Sequence, residues 1–403
     1  MSRLLALILL GCLSACQSVS VSQTETAQAE PLTILVSIDG FSPDYLDLGV
    51  TPTLAALARE GATASMKPSF PTVTFPNHYT LVTGMHPDHH GIVGNSFIDP
   101  ELGRFTMQSK ETDWWNQAEP IWITAEKAGL TSATMFWPGS EAEIAGVRPT
   151  YWRPFDQSVT GDARVDQLLA WLDEDKRPDL ATLYFDLVDT AGHRNGPEAP
   201  ETAAAAASVD ASLARLVQGL KDRGLWADTN LIIVADHGMA ATSPDRVIYL
   251  DDLIDLEAVR VLYASATANL EPVEGREAEA EAALVREHEH GVCWRKGEIP
   301  ERLVLGSNPR VASIVCMAET GWLFGTRARM VRSAGGAHGY DNEAPEMQAL
   351  FIAHGPGIAR GAVLNAMDSV DVQPLLGRLL GITVPAGDGR AEDTLPAMAQ
   401  PRP

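Results

Sequence analysis

The chain has 403 residues, enough to bury a sizeable core, and its 45% apolar and 21% charged residues are those of an ordinary folded protein. Lys+Arg 30 against Asp+Glu 53 leaves a net charge of −23, which repels long nucleic-acid polymers and excludes binding by counterion release. A small anion held in a pocket by divalent ions stays compatible with that charge, because the ions dominate the local field.

The N-terminus reads as a targeting segment. Arg3 supplies a positive start, and the apolar run from Leu4 to Leu13 is too short to span a bilayer. Leu13-Ser14-Ala15-Cys16 matches the bacterial lipobox, in which Cys16 becomes the lipidated first residue of the mature chain. Cleavage after Ala27-Gln28-Ala29 is the alternative. Residues 1–16 are thus expected to be a signal peptide and 17–30 a flexible Ser/Thr/Gln/Ala-rich tether. The protein is expected to be exported to the periplasm, meeting the outer membrane only through its lipid. Cys12 leaves with the leader, so Cys293 and Cys316 are expected to pair as a disulfide in an oxidising compartment. A zinc site on these two thiols is the lesser reading, since no His or Cys stands at finger spacing beside them.

Leu32–Ile38 is β-rich and ends at Asp39-Gly40, a strand followed by a loop. Thr51-Pro52 starts a helix whose apolar positions Leu54, Leu57 and Ala58 share one face, ending at Gly61. Further strands are predicted at 131–136, 181–187, 230–235 and 347–353, with helices at 162–172, 201–220 and 370–380. Strands alternating with helices predict an α/β domain over residues 31–390, a mainly parallel central sheet flanked by helices on both faces. Residues 241–332 break the alternation, with an acidic Ala/Glu helix near 277–289, and read as a smaller subdomain packed over the sheet's edge. Residues 391–403 form a C-terminal tail.

In such sheets ligands bind outside the carboxyl ends of the strands, and that is where Asp39, Asp189 and Asp236 fall. Asp236-His237 closes an apolar run, where a strand turning into a loop lets both side chains reach one ion. Asp189 and His193 are four apart, the spacing that aligns two side chains on one helical turn; a turn with an incidental histidine reads the same. His338 sits between glycines in Gly335-Gly-Ala-His-Gly339, a flexible segment suited to delivering one side chain to a buried site. A glycine-rich phosphate cradle competes there, but the helix-opening Lys-Ser/Thr is missing. Thr74 lies in a proline-bracketed segment that can present one hydroxyl, and Thr72 and Ser69 are equally eligible on spacing. Asn95 reads as a turn residue or a phosphate ligand, and His78 as structural hydrogen bonding. Six of the nine Trp fall between Trp114 and Trp171, an aromatic concentration suited to core or to walling a pocket for a flat substrate. Mixed His and carboxylate donors suit Zn²⁺ better than Mg²⁺.

Taken together, Ile38-Asp39-Gly40, Pro71-Thr-Val-Thr-Phe-Pro-Asn-His78, His89-His-Gly-Ile-Val-Gly-Asn95, Val188-Asp-Thr-Ala-Gly-His193, Ala235-Asp-His-Gly-Met239 and Gly336-Ala-His-Gly-Tyr-Asp341 resemble the nucleotide pyrophosphatase/phosphodiesterase family of the alkaline phosphatase superfamily, most closely its bacterial single-domain members. The resemblance implies two zinc ions per chain, one held by Asp189, His193 and His338, the other by Asp39, Asp236 and His237. It further implies Thr74 as a nucleophile at the second ion, Asn95 on a phosphate oxygen, and Phe75 and Tyr184 flanking a nucleobase. Monoester-hydrolysing relatives carry a Ser-x-Lys-Asp-Arg-like motif where this chain has Phe136-Trp-Pro-Gly-Ser140, which favours diesters. The implied reaction releases a nucleoside monophosphate through a phospho-threonine intermediate. A lipid-headgroup diesterase of the choline-phosphate type and a non-catalytic metal-binding surface lipoprotein are the alternatives.

Overall fold

The computed structural model of the chain describes residues 31–329, 334–365 and 367–399. The expected signal peptide, tether and lipidated Cys16, and residues 400–403 of the expected tail, lie outside the described residues.

Eight strands form the central sheet: β1 (Leu32–Ile38), β2 (Ala62–Met66), β3 (Ser132–Met135), β4 (Tyr151–Arg153), β5 (Leu180–Phe185), β6 (Thr229–Val234), β7 (Ala349–His354) and β8 (Ala362–Val363). Their spatial order is β8-β2-β7-β6-β1-β5-β3-β4. β1 lies between β5 and β6 and parallel to both, and only β7 runs against the rest. Every residue of β1, β5 and β6 is buried, as continuous apolar runs require when helices cover both faces.

The helices that matter for the site are α1 (Pro52–Glu60), α2 (Thr74–Thr83), α3 (Gly161–Leu172), α4 (Leu187–Asn195), α5 (Pro200–Asp222) and α6 (Val372–Leu379). Thr160 caps α3 by accepting from the Ala163 N–H. The strand expected to reach residue 187 stops at Phe185, and α4 begins two residues later. The proline-bracketed segment around Thr74 is not a loop: α2 opens on Thr74 itself. Pro76 falls in its first turn, where the missing N–H has no helical partner to lose.

Within residues 241–332 a five-stranded antiparallel sheet runs in the order Val259–Ala264, Thr267–Pro272, Ile314–Ala318, Gly291–Arg295, Glu287–His288, over a hydrophobic cluster of its own. Cys293 and Cys316 face each other in register and are disulfide-bonded. The acidic helix ends at Leu284, because the residues after it pair as a strand. A polar seam joins this unit to the body: the Asp88 carboxylate accepts from the backbone N–H groups of Gly306, Ser307 and Asn308 and from the Ser307 hydroxyl. No helix among the described residues is long and apolar enough to cross a membrane.

Candidate active site

Three neighbouring parallel strands deliver the chemistry at their carboxyl ends. β1 ends at Asp39, β6 leads into Asp236-His237, and β5 leads into α4, which carries Asp189 and His193 one turn apart. Gly40 adopts φ +68°, and a Cβ there would come within 3.1 Å of Asp189 Cα, so only glycine lets the end of β1 pass so close to α4. His338 follows the short strand Gly335–Ala337, which pairs with Ala240–Thr242 just after Asp236-His237.

Two clusters result. In one, Asp189 Oδ1 lies 3.4 Å from His193 Nε2 and 3.5 Å from His338 Nε2, and the two Nε2 atoms are 3.0 Å apart. In the other, His237 Nε2 lies 3.1 Å from Asp236 Oδ2, 3.6 Å from Asp39 Oδ1 and 3.4 Å from Thr74 Oγ1. The rings of His237 and His338 stack with centroids 3.6 Å apart, so the clusters adjoin.

Hydrogen bonding fixes which nitrogens are free. His193 Nδ1 donates to the Gly336 carbonyl at 2.8 Å, His338 Nδ1 to the Thr72 carbonyl at 2.9 Å, and His237 Nδ1 to the Gly238 carbonyl at 3.0 Å. A carbonyl only accepts, so each Nδ1 carries a proton and each ring turns its Nε2 into the clusters, where the neutral imidazole would present a lone pair to an ion. Those nitrogens meet carboxylate oxygens: Asp39 Oδ1 and Asp189 Oδ1 are buried without a hydrogen-bond partner, and Asp236 Oδ2 faces His237 Nε2 and His78 Nδ1. Burial pushes the Asp39 carboxyl well above the usual range, with Asp236 and Asp189 adding to it, and burial likewise raises Asp189. Burial, then His237 and His193, holds His338 well below the ordinary imidazole value. For Asp236 burial is outweighed by the facing His237 and His78, which hold its carboxyl well below the usual range. Convergent lone pairs and buried like charges are what a pair of divalent cations would neutralise, and the N/O donor set fits zinc.

The three hydroxyls eligible on spacing separate in the structure. Thr72 is fully buried, its hydroxyl donating to the Tyr340 carbonyl at 3.0 Å and accepting from the Gly339 N–H at 2.9 Å. Ser69 is bonded to His86 Nδ1 at 2.9 Å. Only Thr74 reaches a cluster. Asn95 Oδ1 accepts from the Phe75 N–H at 2.9 Å, satisfying one of the open donors at the start of α2. That bond orients the amide, leaving the Asn95 Nδ2 group to donate elsewhere.

Behind the clusters stands a second layer. The Tyr184 hydroxyl donates to Asp39 Oδ2 at 2.6 Å, and burial with the Asp39 charge keeps this phenol protonated, far above its ordinary pKa. His78, fully buried, places Nδ1 2.9 Å from the Thr74 carbonyl and 3.2 Å from Asp236 Oδ2, and Nε2 2.8 Å from Ser37 Oγ. With Nδ1 committed to a carbonyl and Nε2 to Ser37 Oγ, His78 has both ring nitrogens engaged and acts as a brace between the Thr74 turn and Asp236. Its helical spacing from Thr74, four residues, is the signal that could have found it.

A cavity of about 360 Å³ opens beside Thr74, Asp39 and Asp189, walled by Phe75, Trp115, Trp137 and Phe155. Tyr184 also lines it, yet it is only 7% exposed and its hydroxyl is held by Asp39, whereas the Phe155 ring is 45% exposed. Phe155 is thus an exposed aromatic of the wall that the sequence did not single out. Arg164 braces it: the buried guanidinium donates to the Tyr184 carbonyl at 2.9 Å, pairs with Asp186 at 2.8 Å, and lies over the rings of Phe136 and Phe155. Phe136 itself holds φ +66°, a left-handed conformation unusual for a bulky residue. At the mouth Lys110 is paired with Glu141, whose carboxylate also accepts from the Phe155 N–H.

A family model described as type I phosphodiesterase / nucleotide pyrophosphatase matches residues 33–341. An uncharacterized pyrophosphatase/phosphodiesterase of Schizosaccharomyces pombe is 36% identical over 391 residues, covering 90% of this chain and 79% of that one. Human ectonucleotide pyrophosphatase/phosphodiesterase family member 5 is 35% identical over 378 residues, covering 92% and 79%. The chain spans only 44% of rat family member 1, at 35% identity. Murine ectonucleotide pyrophosphatase/phosphodiesterase 5 superposes with a TM-score of 0.88 at 36% identity, covering 92% of this chain and all of that one, and an inactive form of it has been solved in complex with AMP.

Proposed function

Since this chain belongs to the type I phosphodiesterase / nucleotide pyrophosphatase family of the alkaline phosphatase superfamily and is a hydrolase of that class, we propose that it cleaves phosphodiester or pyrophosphate bonds in small nucleotides, with Thr74 as nucleophile, and releases a nucleoside monophosphate. The observation that carries this reading is the convergence of three histidine Nε2 atoms and the carboxylate oxygens of Asp39, Asp189 and Asp236 beside one hydroxyl, at the floor of an aromatic cavity.

Asp189, His193 and His338 would hold one zinc ion, and Asp39, Asp236 and His237 the other, with Thr74 completing the second set. Ions bound there would make a threonine hydroxyl acidic enough to react and would neutralise charge gathering at phosphorus. Thr74 Oγ bonds to phosphorus as the bond to the leaving oxygen breaks. The phospho-threonine so formed keeps the nucleoside esterified to its phosphorus, and water then breaks the bond between that phosphorus and Thr74 Oγ, restoring the hydroxyl and freeing the nucleoside monophosphate. Thr74 stands at the positive end of α2, which favours the anionic oxygens formed around it. Asn95 Nδ2, left free by the bond its Oδ1 makes to Phe75 N–H, donates to a phosphate oxygen. Phe75 and Phe155 offer ring faces to a nucleobase. The acidic groups of the cavity wall are engaged, Glu141 by Lys110 and Asp186 by Arg164, which suits a trimethylammonium headgroup poorly. The leader, the Cys16 lipobox and the Cys293–Cys316 bond support export to an oxidising compartment with a lipid anchor; incorporation of labelled palmitate that a Cys16→Ala change abolishes would test the anchor.

Purified protein assayed on the nitrophenyl ester of a nucleoside monophosphate, a nucleoside triphosphate and a phosphocholine ester tests the reading, with metal content measured alongside. We expect the two nucleotides to be cleaved, about two zinc ions per chain, and loss of activity on chelation that zinc restores. Preference for the phosphocholine ester, or turnover that survives complete removal of metal, overturns it.

A further inference from the structure

A second cavity of about 430 Å³ adjoins the aromatic one along α4 and shares Gln157, Asp186 and Thr190 with it. We propose that it is a subsite for the part of the substrate beyond the scissile bond, selecting leaving groups that carry further phosphates, with Arg194 as the recognising cation. The inference rests on the nucleotide reading above and adds to it which portion of the substrate is bound where.

One helix organises both sites. Asp189 and His193 of α4 face the metal cluster, and the residues one further along, Thr190 and Arg194, are rotated about 100° and line the second cavity. Whatever leaves from phosphorus beside Asp189 therefore has a cavity within reach around the same helix. That cavity has three charged residues in its lining. Arg164 and Asp186 neutralise each other at 2.8 Å, and Gln157 Nε2 donates to the remaining Asp186 oxygen at 3.0 Å. Arg194 is exposed and makes no ion pair or hydrogen bond among the described residues. A guanidinium unengaged among the described residues stands out in a chain of net charge −23, where acidic partners abound. It offers a forked donor matched to phosphate oxygens, and a locally positive lining offsets the repulsion that the rest of the molecule imposes on a polyanion. A nitrophenyl leaving group gains nothing from this contact, whereas a pyrophosphate or nucleotide leaving group does.

The test measures binding in the Thr74→Ala background, where ligands are not consumed, using zinc-loaded protein and calorimetry. Adding Arg194→Ala should weaken binding of a nucleoside triphosphate about tenfold, the loss of one charge-assisted contact. Binding of the nitrophenyl ester of the same nucleoside monophosphate should stay within about twofold, and Arg194→Lys should recover only part of the triphosphate affinity, since it restores the charge without the fork. In the otherwise unaltered enzyme the same selectivity should appear as a raised KM for the triphosphate alone. Equal loss for both ligands, or no loss for either, sinks the second subsite while leaving the nucleotide reading intact. If the parent binds neither ligand, the nucleotide reading fails and the subsite with it.

Discussion

In the ligand cluster each imidazole is pinned from behind by a backbone carbonyl, and two of the three carboxylates are held by a buried Tyr184 or His78. The aromatic cavity beside it is held differently, by ring packing and by two cationic braces, Arg164 beneath Phe155 and, farther back, Arg310 over Trp114, which packs through Phe105 on Trp115 of the wall. Cluster geometry is thus set by directional hydrogen bonds that tolerate little change. Wall geometry is set by contact area, which neighbours can partly replace. Changes in the cluster should therefore act on metal and turnover, and changes in the wall on substrate affinity.

The largest effect should come from Thr74→Ala. Turnover should fall by about 10³-fold or more while zinc stays near two per chain, because Thr74 touches the cluster through one oxygen and braces none of its ligands. Turnover within about tenfold of the parent would remove Thr74 as nucleophile.

Next comes His78→Phe, which keeps bulk and deletes the bonds to Asp236, Ser37 and the Thr74 carbonyl. Loss of an outer-layer partner costs about 10- to 100-fold in metal affinity, readable by competition with a chelator of known strength. An unchanged zinc affinity would reduce His78 to core packing.

The two regions also differed in how far the sequence disclosed them. Asp39, Asp236 and His237 follow apolar strand runs, and Asp189 and His193 keep helical spacing, so local pattern placed them. The strands of the sheet centre were legible for the same reason. The start of α2 was not, since Pro, Val and Thr there argue against helix until the fold supplies Asn95 as an external partner for the Phe75 N–H. The direction of β7 was also hidden: the chain reaches it after a long excursion and not through a crossover helix, and periodicity carries no sign of direction. Phe155 sits in an irregular segment between β4 and α3, far along the chain from the other site residues. Arg164, Phe136 and Tyr184 packed against it, with Glu141 accepting from its N–H, make it a wall.

Phe155→Ala should accordingly raise KM for a nucleotide ester about five- to tenfold, the worth of one stacked ring, with zinc content unaltered. Tyr184→Phe sharpens the contrast, since it keeps the ring but frees Asp39 Oδ2; its effect should appear in zinc affinity and not in KM. If the two variants exchanged phenotypes, the division between cluster and wall would be wrong.

Asp88→Asn probes the wall from farther back and should have the smallest effect on activity. Asp88 gathers the 306–308 loop, and that loop leads to Arg310, whose guanidinium reaches Asp99, Gly91 and Trp114 behind the cavity. Burial raises the Asp88 carboxyl, but the Ser307 hydroxyl and the N–H groups of Asn308, Gly306 and Ser307 outweigh it and hold the group below its ordinary value. A folded-state pKa below the unfolded one means the carboxylate stabilises the protein above about pH 4, and that stabilisation is lost as pH falls through the folded value. The substituted amide would keep shape and one acceptor while losing the charge, so we expect a loss of about 2 kcal/mol at neutral pH with zinc content unchanged. The difference in stability between parent and variant should shrink on acidification below about pH 4, measured by denaturant unfolding at a series of pH values. A difference that stays constant across that window would mean the seam holds by shape and not by the charge of Asp88.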